Sequence, residues 1–160
     1  MFLKAIILVW LILLLAPAAP LTEARAADVA IIVSRDNPVD ELQWKELVKI
    51  FRLEKPYWDH HERVYLVLRE TGSPEKSVVL DKIYRTSDAG LKRLWLGKIN
   101  REEMIEFPRV LNSNEAVIRF VSQVPSAIGF VDASSADERV KIVRIDGLLP
   151  GSDGYPLRLR

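Results

Sequence analysis

Residues 64–84, VYLVLRETGSPEKSVVLDKIY, change their period in mid-stretch. Val64 to Leu68 is a short β-branched apolar run of the kind that forms a buried strand. Arg69-Glu70-Thr71-Gly72 then breaks the pattern, and Ser73-Pro74-Glu75 opens a helix with a capping side chain and proline at its favoured first position. Val79, Leu80, Ile83 and Tyr84 continue at helical spacing. The same alternation extends outward in both directions. Further strand-like runs lie at Val29 to Ser34, Ala127 to Val131 and Val140 to Ile145. Between them, Trp44, Leu47, Val48 and Phe51 form one helical stripe with Asp40 placed as its cap. Leu91, Leu94 and Trp95 form another, capped by Ser87 or Asp88. A further helix opens at Asn112 with Glu115 at capping-box spacing, packs through Val117, Phe120, Val121 and Val124, and ends at Pro125. Strands alternating with helices of this length predict an α/β fold, a mostly parallel sheet flanked by helices. No internal repeat or linker divides it.

The first 26 of the 160 residues read as an address rather than as structure. Met1 to Lys4 is a short positive start, and Ala5 to Leu15 is an apolar run of eleven residues. Pro17 and Pro20 follow, and Ala24-Arg25-Ala26 places small residues one and three before a cut at Ala26/Ala27. A cleavable signal peptide over 1–26, one domain over 27–160 and a periplasmic location are the expectation. The alternative is an inner-membrane anchor from an uncleaved segment, since Ala5 to Leu21 reaches the lower edge of a span of roughly 17–25 residues. The full chain carries 23 Lys+Arg against 22 Asp+Glu; removal of Lys4, Glu23 and Arg25 leaves 21 of each. That balance provides no general attraction to nucleic acid. The absence of Cys excludes a disulfide framework, thiol catalysis and a thiol-linked lipid.

The chemistry concentrates at the strand-to-helix turn, Leu68 to Pro74. Ligands of α/β sheets sit at such strand ends, and arginine can fork onto an oxyanion while glycine permits close backbone approach. A phosphate-like group would suit this turn. The same residues also suit a plain structural role, in which Ser73 caps its own helix and Arg69 pairs with Glu70 or Glu75 at the surface. Elsewhere, Asp59-His60-His61-Glu62 holds the only two histidines, but adjacent ligands lack the spacing that aims two imidazoles at one ion, so no metal site is assigned. No serine sits in a nucleophile elbow, and no further histidine exists to serve as a base; an enzyme is not expected. Trp44, Tyr57, Trp58 and Trp95 lie at helical or turn positions, where aromatic residues usually pack the core.

With these segments placed, the chain resembles the substrate-binding-like domains of phosphate ABC transporters, the PBP-like domain family. The resemblance is carried by Ile32-Val33 and Asn37-Pro38-Val39; by Leu42 to Phe51 with Trp58; by Arg69 with Gly72-Ser73; by Leu91-Lys92-Arg93 with Trp95; and by Asn114 to Val117. Most specific is Pro125 to Asp132, PSAIGFVD, which is similar to the P-G-A-I-G-Y-V run of periplasmic phosphate-binding proteins. Gly154-Tyr155-Pro156-Leu157 resembles the point where two-lobed relatives cross back to their first lobe. The resemblance implies a single lobe of a periplasmic-binding-protein type II-like fold. It also implies a non-enzymatic, exported phosphate ABC transporter substrate-binding-like protein that needs no cofactor. Arg69, Thr71, Gly72 and Ser73 become the ligand-binding candidates, for phosphate or another small oxyanion. Relatives that bind phosphate resemble R-x-x-G-S-G-T, whereas here Pro74 has no N–H to give and Glu75 brings a negative charge, both of which oppose strong phosphate binding. The alternative reading is a protein-interaction module without a small-molecule ligand, its lobe face meeting a periplasmic or membrane protein or a second copy of the chain.

Overall fold

The computed structural model describes residues 28–104 and 107–159. The signal-peptide reading of residues 1–26 lies outside them. Strand β1 (Val29–Ser34) is followed by a short β2 (Glu41–Leu42) and helix α1 (Trp44–Phe51). Next come β3 (Tyr65–Arg69), α2 (Pro74–Val79) with a π-helical continuation over Leu80–Tyr84, and α3 (Asp88–Asn100). The chain then forms β4 (Arg109–Leu111), α4 (Asn114–Gln123), β5 (Ala127–Asp132), a 3-10 turn (Ala133–Ser135), β6 (Val140–Ile142) and β7 (Arg144–Ile145).

Five strands form one sheet in the order β4-β3-β5-β1-β6, and β2 pairs with β7 apart from it. The α/β fold with flanking helices is as expected, but the sheet is mixed rather than mostly parallel. β3 runs parallel to β4 and β5, whereas β1 is antiparallel to both its neighbours, with Val29 opposite Asp132 and Ser34 opposite Val140. A strand buried on both faces reads as a continuous apolar run in either direction, so the hydrophobicity of β1 reports its depth and not its polarity. The Val140 to Ile145 run is split at Val143, whose N–H bonds to Ile31 O (2.9 Å) while the residues beyond it pair with β2.

Each central strand feeds two cores by the alternation of its side chains. Val29, Ile31 and Val33 of β1 join Leu66, Leu68, Ile128 and Phe130 on the face covered by α1, α2 and α3. Ala30 and Ile32 join Val67, Ala127 and Val131 on the face covered by α4 through Val117, Ile118 and Val121. Gly129 permits that second contact, since a Cβ there would stand 2.9 Å from Val117 Cγ1. The glycine within PSAIGFVD thus serves helix-to-sheet packing.

Polar links close the fold at its ends. Asn37 accepts from Val39 N and donates to Pro125 O, both at 2.9 Å, joining the loop after β1 to the turn before β5. Trp58, buried, donates Nε1–H to Ser126 O at 2.9 Å. Tyr155 donates to Val29 O (2.8 Å), and Val29 N donates to Leu157 O (2.8 Å), so the Gly154 to Leu157 segment returns the chain to the start of β1. Two caps differ from expectation. The carboxylate that receives the N–H of Trp44 belongs to Asp146 (2.9 Å), while Asp40 instead holds Lys141 Nζ (2.6 Å). α4 is capped by Ser113, which accepts from Ala116 N (3.0 Å), and not by Asn112. α2 and α3 are capped by Ser73 and Ser87 as expected.

Tyr84 and Tyr155 bind backbone carbonyls inside the protein, Tyr84 through Phe51 O at 2.7 Å. Burial pushes both phenols above the ordinary value of 10.0, and the nearby Asp28 carboxylate adds to this at Tyr155. The unfolded chain therefore releases these protons first, and stability falls as pH rises past about 10, by about 1.4 kcal/mol per pH unit for each phenol. Denaturant midpoints measured from about pH 9 to about 11.5 should drop steadily in the wild type, and more shallowly in the Tyr84→Phe/Tyr155→Phe variant. Equal slopes would show that the two phenols are not responsible.

Candidate functional site

Because β3, β4 and β5 are parallel, their C-terminal ends share one edge of the sheet, the usual place for a ligand in an α/β layer. Arg69 closes β3. Asn114 opens α4 just beyond β4, and Ser135 ends the turn that follows β5. Their side chains meet there, with Glu75 from α2 completing the group.

Arg69 is only 7% exposed and Glu75 only 5%. Arg69 Nη1 donates to Asn114 Oδ1 and lies 3.4 Å from Glu75 Oε1, while Nη2 reaches Glu70 Oε1 at 3.4 Å. Asn114 is the hub. Its Oδ1 also accepts from Asp132 N (3.3 Å), and its Nδ2 donates to Glu75 Oε1 (3.0 Å) and Ser135 Oγ (3.3 Å). One amide thus ties the ends of three strands to the buried ion pair. Two atoms of the pair stay without a partner among the described residues, Arg69 Nε and Glu75 Oε2.

The turn between β3 and α2 is occupied with its own geometry. Ser73 Oγ donates to Glu70 O (3.1 Å) and accepts from Lys76 N (3.2 Å), so this hydroxyl serves as a cap. Gly72 takes φ +91°, a backbone conformation that strains side chains with a Cβ, and is exposed. Thr71 is exposed. Beneath the turn, Lys76 is 3% exposed, donates to Arg69 O (3.3 Å) and faces Asp88 at 3.7 Å. Burial lowers the Lys76 ammonium from its ordinary value, with Asp88 opposing that shift. Burial alone would raise Asp88, but hydrogen bonds from Thr71 and Lys92, with the charges of Lys76 and Lys92, hold it below the usual carboxylate value.

Of the four sequence candidates, the structure places Arg69 at the centre of the cluster and Thr71, Gly72 and Ser73 in the turn over it. Of the structural alternatives for this stretch, the Ser73 cap is present, and Arg69 does pair with Glu70 and Glu75, but the pairing with Glu75 is buried rather than at the surface. Sequence reasoning missed Asn114, Ser135, Lys76 and Asp88. The signal for Asn114 was Ser113, a sufficient cap that left the next asparagine at a helical position where its side chain is not favoured. The histidines lie elsewhere. His60 stacks beside Trp58 (6.3 Å between rings), and Trp58 is bonded to Ser126 at the start of β5, about 17–20 Å along that strand from the cluster.

The sequence matches no protein-family model and no curated protein. Solved structures with this fold include an ABC-type phosphate transport receptor from Vibrio cholerae, 22% identical with a TM-score of 0.62, over 78% of this chain and 48% of that one. A protein from Clostridium perfringens, described as a phosphate ABC transporter substrate-binding protein with bound phosphate, matches at 20% identity and TM-score 0.63, over 78% and 47%. PstS from Borrelia burgdorferi matches at 17% identity and TM-score 0.60, over 78% and 49%. The chain therefore has the fold of phosphate ABC transporter substrate-binding proteins and spans about half their length.

A buried charge left without its counter-charge is strongly destabilising, whereas removal of both charges together is tolerated. Arg69→Met and Glu75→Leu alone should each lose about 3–5 kcal/mol in urea denaturation, and the double variant should recover most of that loss. Additive losses would show that the two side chains are not energetically coupled.

Proposed function

We propose that this protein is an exported, non-enzymatic, phosphate-receptor-like binding lobe that takes a small oxyanion weakly at the β3-to-α2 turn. A signal peptide over residues 1–26 delivers a domain over 27–160 to the periplasm. The observation that carries the reading is Arg69, a buried guanidinium with an unpartnered Nε at the shared ends of parallel strands, in a lobe with the receptor fold. Thr71, Gly72 and Ser73 border it. The non-enzymatic reading is supported by the distance of both histidines from this edge and by the engagement of Ser73 Oγ as a cap.

Weak binding follows from the donors. Pro74 offers no N–H, the Ser73 hydroxyl is already bonded, and Glu75 stands beside the buried Arg69 guanidinium.

Calorimetric titration of the mature protein with inorganic phosphate at low ionic strength should give a dissociation constant near or above about 1 mM, equivalent to about 4 kcal/mol. Arg69→Ala, verified as folded by circular dichroism, should abolish the signal. No heat at saturating phosphate, or binding that survives Arg69→Ala, would overturn the assignment. The mass of the exported protein should match a chain starting at Ala27; retention of Met1 would instead make it an anchored protein.

A further inference from the structure

We infer that the Glu75 carboxylate is the resident anion of this site, an internal occupant that any external oxyanion must displace from Arg69. The inference rests on the oxyanion reading above and names what regulates that same site. Four observations carry it. Glu75 Oε1 is 3.4 Å from Arg69 Nη1 and accepts from Asn114 Nδ2 at 3.0 Å, the kind of contact a bound oxyanion would make with the same two donors. Both charged side chains are more than nine-tenths buried, so the carboxylate is held as a ligand is held and not as a surface charge. Asn114 Oδ1 is fully engaged by Arg69 and Asp132 N, which turns its Nδ2 hydrogens toward Glu75 Oε1 and Ser135 Oγ. Lastly, Arg69 Nε and Glu75 Oε2 lack partners among the described residues, so the pairing of carboxylate and guanidinium is one-sided. A side chain tethered to α2 reaches the guanidinium with one oxygen, where a free oxyanion could present two.

Glu75 thereby sets the affinity. With it in place, an incoming anion meets a guanidinium already neutralised and a like charge within a few ångströms. With Gln in its place, the size and the acceptor toward Asn114 remain and the buried negative charge is gone, which leaves the more exposed Glu70 carboxylate as the remaining counter-charge and makes an anion from solution more favourable beside Arg69. Phosphate and sulfate should then both bind more tightly, because the change acts through charge and not through the shape of one ligand.

The experiment compares wild type, Glu75→Gln and Glu75→Gln/Arg69→Ala by thermal unfolding and calorimetry in phosphate, in sulfate, and in chloride at matched ionic strength. Glu75→Gln should bind phosphate and sulfate at least about tenfold more tightly than wild type, since a like charge this close is removed. Phosphate should raise its unfolding temperature more than chloride does, as expected for a ligand of the native state. Should Glu75→Gln fail to fold in dilute buffer, phosphate and not chloride should restore folding. Arg69-dependent phosphate binding by wild type, with no tighter binding by Glu75→Gln, would overturn this inference and leave the oxyanion reading standing. Absence of binding in both, with no phosphate-specific rescue, would overturn the two together. Stabilisation that persists in the double variant would place the anion elsewhere and also overturn it.

Discussion

A guanidinium cannot be buried without compensation, and Arg69 sits 7% exposed at the end of a central strand. Much of the ligand-side edge of this lobe follows from that requirement. Asn114 turns its amide so that one end meets Arg69 and the backbone of β5, and the other meets Glu75 and Ser135. The starts of α2 and α4 and the end of β5 are thereby fixed relative to one another by a single polar network. The neighbouring Lys76 is handled in the same way, through the backbone carbonyl of Arg69 and the carboxylate of Asp88. Two buried cations side by side need local anions, and the chain supplies them: Glu75 and the more exposed Glu70 for Arg69, and Asp88 for Lys76.

How far the fold was legible depended on whether a feature was local. The apolar runs of β1, β3 and β5, the Ser73 and Ser87 caps and the helical stripe through Leu47 and Phe51 are set by spacing within one segment, and each was readable there, whereas the Val140 to Ile145 run showed its strand character but not its division between two sheets. The direction of β1 was not, since burial on both faces leaves no sign of polarity in the residues themselves. The cap of α1 was missed for a similar reason. Its carboxylate comes from Asp146, 102 positions along the chain from Trp44, and a turn in the left-handed region presents it. The short strands β2, β4 and β7, of two or three residues, lie below the length at which a period can be seen.

The site divided along the same line. Arg69, Gly72 and Ser73 were conspicuous because they are contiguous, while Asn114 and Ser135 reach the cluster from other strand ends. Glu75 was visible both as an obstacle to phosphate and as a surface partner for Arg69; its burial against that guanidinium shows only in the three-dimensional arrangement.

The residues that carry the family resemblance serve mostly in holding the fold. Asn37 joins two loops, Trp58 seals the start of β5, Gly129 admits α4 and Tyr155 anchors the returning chain to β1. Others of these residues, Arg69 and Asn114 among them, build the polar cluster itself, so the resemblance covers both the packing and the cluster. A binding site that waits for an anion leaves its cation uncompensated until the ligand arrives, and it sacrifices stability in the empty state. The pairing of Arg69 with Glu75 reverses that arrangement: the empty lobe is already neutral at this point. On the proposed reading, binding would be an exchange of one carboxylate for another anion rather than the filling of a vacant charge. The free energy of that exchange would be the difference between two similar contacts, less the cost of moving Glu75 out of a buried position, and the hold on an external anion would be weak for that reason.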